Sequence, residues 1–189
     1  ARPPAGAPVS FEAGQDEALI PWTQMRKGVA AAMVRSTGAV PHASLMVEVD
    51  VTNLVSLRNA QKDAFRAREG ANLSFVPFMI KAVVAALKEH PRMNANWTEQ
   101  GLLVKRRINV GVAIAVEDGL IVPVIHDADQ LSVAGLNARV ADLAERARSN
   151  RLRLQELQGG TITNQPLDVA RIALPDRKST RLNSSHGYI

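Results

Sequence analysis

The chain has 189 residues, enough for one domain with a sizeable core, and 46% hydrophobic against 22% charged residues is an ordinary globular balance. No apolar run approaches the roughly 20 residues that a membrane span requires, and the lack of cysteine excludes a disulfide framework, a thiolate nucleophile and a zinc site built on sulfur. The net charge is +5, of which Asp176, Arg177, Lys178 and Arg181 contribute +2; with only 4% aromatic residues this reads as solvated charge and not as a nucleic-acid surface.

Residues 1–19 are rich in Pro, Ala and Gly and lack a period, so a linker is expected, extended where Pro dominates. The start carries no charged-then-apolar signal pattern, and a cytoplasmic location is the expectation. Thr23 is placed to cap a helix whose apolar face is Met25, Val29, Ala32 and Met33, closed by Gly38 and Pro41. Residues 42–51 alternate, with Leu45, Val47, Val49 and Val51 on one side and Met46, Glu48 and Asp50 on the other, which predicts a strand with one wetter face. Thr52 is the expected cap of a second helix that sets Leu54, Leu57, Ala60, Ala64 and Phe65 on one side and ends at Gly70. Ser74 and Pro77 open a third helix, apolar almost all round and so expected to be buried on most sides, stopped by Pro91.

Two apolar runs, 108–116 and 120–125, flank Glu117-Asp118-Gly119, and Asp-Gly between such runs is a strong hairpin signal. Ser132 caps a fourth helix with Val133, Leu136, Val140, Leu143 and Ala147 as its stripe. Gly159-Gly160 then leads into a short polar segment containing Thr163 and Asn164. Helices interleaved with strands imply an α/β layered domain with a mixed sheet.

Three polar clusters have plain readings. His126-Asp127-Ala128-Asp129 follows a strand directly and is expected to form a turn capping the next helix, not a metal site. Lys105-Arg106-Arg107 precedes a strand and reads as an exposed edge or turn. Gly159-Gly160 is too short for a phosphate loop and lacks the Lys-Ser/Thr that one needs.

Three blocks stand in an order that is informative together: IPWTQMRKGVAAAMVRSTGAVPHASLMVEVDVTNLVSLR, PFMIKAVVAALKEHPRMNANW, and the hairpin, helix and Gly-Gly segment of 108–164. Over roughly residues 20–164 the chain closely resembles the catalytic domain of the dihydrolipoyl acyltransferases, the core subunits of 2-oxoacid dehydrogenase complexes. The resemblance implies a fold like that of chloramphenicol acetyltransferase, assembled as trimers that build larger cores. It also implies lipoyl and subunit-binding domains upstream of the linker, with dehydrogenase and dihydrolipoyl dehydrogenase subunits as partners.

The chemistry so implied moves an acyl group from a dihydrolipoyl arm to coenzyme A, without metal. A thiol, with its ordinary pKa of about 8.5, is scarcely ionised at neutral pH, so a base must take its proton. The tetrahedral oxyanion then needs a pre-aimed donor. In the family a Ser or Thr after the paired glycines supplies it, and here that position is Thr163; a plain strand threonine is the alternative. Arg58 matches a family position and is the candidate for the coenzyme A phosphates, against the alternative of a solvated helix arginine. His42, after Pro41, also matches the family, but no carboxylate partner is evident and a structural role is expected.

The departures are specific. The stretch between Gly160 and Thr163 is about two residues shorter than the family pattern, and the resemblance stops after Asn164. The family's base lies in a block of His, three residues, then Asp-Gly, and none of His42, His90, His126 or His186 is followed by that block. Residues 176–186, DRKSTRLNSSH, match one reading frame of a common sequencing-library adapter, so 165–189 are expected to be a non-native tail. A catalytic domain lacking its base, inactive by itself, is the resulting expectation. The alternatives are another coenzyme A-dependent acetyltransferase of the same fold, acting on a small alcohol or amine, and a non-catalytic assembly module.

Overall fold

The computed structural model describes residues 16–165 apart from 18, 20, 21, 23, 40, 41, 117 and 118. The expected helix cap Thr23, the stop at Pro41, the Glu117-Asp118 turn, nearly all of the linker and the tail after residue 165 lie outside the described residues. The elements run α1 (Gln24–Ala39), α2 (Thr52–Glu69), α3 (Val76–Glu89), β1 (Ala95–Thr98), β2 (Gly101–Val104), β3 (Val110–Val112), β4 (Ile114–Val116), β5 (Gly119–Ile121), β6 (Val124–Ile125), α4 (Val133–Arg148) and β7 (Ile162–Asn164). It is a mixed α/β domain, as expected.

The core forms where α3 and α4 pack on each other and on β3 and β4. Ile80 and Leu136 are fully buried there, and each such side chain contributes roughly 1.5–3 kcal/mol relative to exposure. α3 buries one stripe, Val76, Pro77, Ile80, Val84 and Leu87, while Ala82, Ala85 and Ala86 face outward, so it is less enclosed than its all-round apolarity suggests. α4 starts as expected, with Ser132 Oγ accepting from the Gly135 N–H at 3.1 Å. Its Asn137, buried, joins it to the start of α3: Oδ1 accepts from the Ser74 N–H and hydroxyl at 3.0 and 3.1 Å, and Nδ2 donates to Asn72 O. Ser74 is therefore engaged by α4 and caps nothing.

The hairpin forms in two steps. β4 pairs with β5 in antiparallel register, Val116 opposite Gly119, so Gly119 belongs to the strand. Below it β3 pairs with β6, and on its other side β3 runs parallel to β7, Gly111 opposite Thr163. The resulting order β6-β3-β7 makes β3 the central strand, and the α4 crossover is what allows the parallel partner. β1 and β2 make a separate antiparallel pair.

Two expectations need correction. Residues 42–51 do not form a strand: only Asp50 makes a bridge, and Leu45, Val47 and Val49 stand exposed. Alternation gives strand propensity, but the ladder needs a partner edge, and among the described residues none runs alongside. Thr52 is the first residue of α2, not its cap. Asp50 Oδ1 performs that service, accepting from the Thr52 N–H at 2.9 Å and its hydroxyl at 2.7 Å, and these bonds hold the Asp50 carboxyl below its ordinary pKa. The C-terminal end of α2 is as expected, Gly70 taking the left-handed φ of 68°. Of its apolar side only Phe65 is buried, and on α1 Val29 and Met33 are exposed.

Candidate active site

The segment entering β3 carries one buried polar side chain, Asn109. A buried amide is costly unless its groups are paired, and these are. Asn109 Nδ2 donates to Gly159 O at 2.8 Å, and Oδ1 accepts from the Asp127 N–H at 3.0 Å. Its own N–H donates to Thr161 Oγ1 at 3.1 Å, and its carbonyl accepts from the Thr161 N–H at 2.8 Å. One residue thus joins the start of β3, the turn after β6 and the loop that leads into β7.

That loop is shaped by its glycines. Gly159 has φ 78°, in the left-handed region where a side chain is strained. On the neighbouring strand, a Cβ at Gly111 would lie 2.8 Å from Val122 Cγ1 and 3.2 Å from Thr163 Oγ1. Glycine there lets the Val122 methyl and the Thr163 hydroxyl share one space. Around this space lies an open cleft of about 450 Å³, walled by Val122, Val124 and Leu157 and floored by Gly111 and the segment from Gly159 to Thr163. Thr163 is exposed into it, and among the described residues no side chain hydrogen-bonds its hydroxyl. A free hydroxyl on a strand fixed at both neighbours can donate to an oxygen placed in the cleft.

Three ion pairs, made by two arginines, brace the surroundings. Arg107 pairs with Asp127 through Nε and Nη2, Nε donating to Oδ1 at 2.8 Å, and this hydrogen bonding lowers the Asp127 pKa. Arg146 on α4 reaches Asp142 at 2.7 Å and Glu156 at 2.6 Å. Glu156 also accepts from the Arg153 N–H at 2.9 Å, and the Arg146 bonds, followed by this one, pull its pKa down to about 2. The pair ties α4 to the 3-10 turn Leu154–Leu157, whose last residue walls the cleft.

Of the residues expected from sequence, Thr163 lies in the cleft. Arg58 does not: its Nε donates to Leu73 O at 2.9 Å, its Nη1 to Asn59 Oδ1, and its guanidinium stacks 5.4 Å from the Phe75 ring centre. None of these partners lines the cleft. His42 is exposed with Nε2 3.5 Å from Ser36 Oγ. His126 is also exposed; its Nε2 stands 3.2 Å from Gln155 O, and its Cε1 backs the loop at Gly159. The His126–Asp129 stretch is a turn, with Asp127 at φ 49°, but it pairs with Arg107 and leaves the capping of α4 to Ser132. Among the described residues no group of three His, Asp or Glu side chains is placed to hold a metal, and no helix is long and apolar enough to cross a membrane.

The arrangement has counterparts in known proteins. The profile of the family described as 2-oxoacid dehydrogenases acyltransferase (catalytic domain) matches residues 14–165. The lipoamide acyltransferase component of the branched-chain alpha-keto acid dehydrogenase complex of Bacillus subtilis is 46% identical over 144 residues, 76% of this chain and 34% of its own length. Among solved structures, a probable dihydrolipoamide acetyltransferase from Listeria monocytogenes superposes with a TM-score of 0.76 at 42% identity, covering 79% of this chain and 64% of that one. The dihydrolipoamide acetyltransferase of Azotobacter vinelandii, in which a serine, a histidine and an asparagine have been investigated for their role in catalysis, gives 0.76 at 35% identity, covering 86% and 67%. The chain spans about a third of the length of the Bacillus relative. With the mixed sheet, the hairpin and the Gly-Gly loop all in place, the chain belongs to the family of 2-oxoacid dehydrogenase acyltransferase catalytic domains.

Proposed function

We propose that this chain forms the acyl-binding and oxyanion-holding part of a site that transfers an acyl group from a dihydrolipoyl thioester to coenzyme A. The observation that carries the reading is the Thr163 hydroxyl, without a hydrogen-bond partner among the described residues, held on β7 by pairing with β3 and opening into the cleft. The thioester carbonyl accepts from that hydroxyl. Attack by the coenzyme A sulfur converts the carbonyl oxygen to an oxyanion, which draws the hydrogen bond tighter. That attack forms the new carbon–sulfur bond; collapse restores the carbonyl, breaks the bond to the dihydrolipoyl sulfur and expels its thiolate, which takes the proton that coenzyme A lost.

Removing that proton at neutral pH requires a base. Among the described residues lining the cleft none carries a titratable side chain, and the base is left to a group beyond that lining. Above the thiol's ordinary pKa of about 8.5 coenzyme A ionises unaided, and the requirement lapses. Acetyl-coenzyme A formation from S-acetyldihydrolipoamide at pH about 9 is therefore the test. The chain accelerates it over the protein-free reaction; equal rates with and without protein sink the proposal.

The family resemblance gives Arg58 the coenzyme A phosphates. Its bonds to Leu73 and Asn59 already fix the guanidinium, which lowers the ordering cost of a further contact. Arg58→Ala then weakens coenzyme A binding; an unchanged affinity returns Arg58 to a structural tie. A lipoyl group delivered by an upstream domain, trimeric self-association, and docking of the dehydrogenase and dihydrolipoyl dehydrogenase subunits complete the proposal. The exposed Leu45, Met46, Val47 and Val49 support self-association. Sedimentation velocity showing only monomer would remove that part.

A further inference from the structure

We propose that the cleft selects an uncharged aliphatic acyl group and discriminates against one ending in a carboxylate. The inference rests on the acyl-transfer reading above and adds the class of acyl group to it. With the thioester carbonyl on Thr163, the acyl chain occupies the space over Gly111, where the Val122 methyl already closes in. A second glycine repeats the device: a Cβ at Gly160 would lie 3.3 Å from Val124 Cγ2. Two glycine floors thus face two valine walls, and Leu157 adds a third apolar side chain.

Among the described residues, side-chain polar capacity in this space is small. Thr161 Oγ1 is engaged with Asn109, accepting from its N–H at 3.1 Å and donating to its carbonyl at 3.2 Å. Among the described side chains of the cleft only the Thr163 hydroxyl remains, and the thioester carbonyl uses it. Among the described residues lining the cleft, none is charged. The cations bracing the surroundings are committed, Arg146 to Asp142 and Glu156, and Arg107 to Asp127. A terminal carboxylate packed against this wall would exchange water for neither a cation nor a spare side-chain donor among the described residues, which is unfavourable. A methyl or branched aliphatic group loses nothing there and gains apolar contact.

The test is equilibrium binding of three thioesters of N-acetylcysteamine, S-acetyl, S-isobutyryl and S-succinyl, to the 189-residue chain. The neutral pair binds at least about tenfold more tightly than the succinyl compound, as a carboxylate left without a partner demands. Val122→Lys places a cation on the cleft wall and reverses the order, succinyl becoming the favoured ligand. Circular dichroism confirms that this variant folds, and Val124→Lys serves in its place if it does not. Equal or tighter binding of the succinyl compound by the unaltered chain overturns the selectivity and leaves acyl transfer standing. No binding of any thioester overturns the acyl-transfer reading itself, and the selectivity with it.

Discussion

Asn109 Nδ2 donates to Gly159 O at 2.8 Å across 50 residues of sequence, fixing the loop before β7 to the start of β3. Thr163 inherits its position from this bond, because β7 leaves the loop in register with β3. Asn109→Ala strands the Gly159 carbonyl and the Asp127 N–H together, and leaving a buried group unsatisfied costs about 1–3 kcal/mol. The expected result is a lower denaturation midpoint with an unchanged m-value, and faster amide exchange at residues 159–163. Unchanged exchange there would show that the loop is held by something else.

Gly111→Ala tests the close approach on the other side of Thr163. The new Cβ falls 2.8 Å from Val122 Cγ1, an overpacking expected to cost about 1–3 kcal/mol. Val122→Ala in the same chain removes that methyl and recovers most of the loss, so the double-mutant cycle shows strong coupling. Additive losses would mean that Gly111 is needed for a reason other than Val122.

The main elements were legible in the sequence because each carries a local signal: Asp-Gly for the hairpin, Ser132 for the start of α4, Gly70 for the end of α2. Residues 42–51 misled because alternation records propensity, whereas a strand exists only against a partner edge. Thr163 was found through the family's Gly-Gly segment. Asn109 was missed, although a polar residue within the apolar run of 108–116 is itself a signal of a buried, fully bonded side chain. The Gly111–Val122 approach and the Arg146–Glu156 bridge had no local signal; both arise from the pairing of distant segments.

The Arg146–Glu156 bridge gives a pH dependence of defined sign. The Glu156 pKa falls from 4.5 to about 2 on folding, so its contribution is complete above pH 4.5 and is lost as pH falls toward 2. Asp127 and Asp50, also lowered, act in the same direction. Glu156→Gln should therefore be less stable than the unaltered chain at neutral pH, and the gap should close through that acid window. A gap independent of pH would assign the effect to packing and not to charge.

The central claim is that the Thr163 hydroxyl stabilises the oxyanion. The direct measurement is the rate of acetyl-coenzyme A formation at pH about 9, where the attacking thiol is ionised without a base, compared for the unaltered chain, Thr163→Ser and Thr163→Val. The account predicts that serine keeps the acceleration, while valine, equal in shape but without the O–H, loses it by about 10²-fold or more. Valine accelerating as well as threonine would contradict the account.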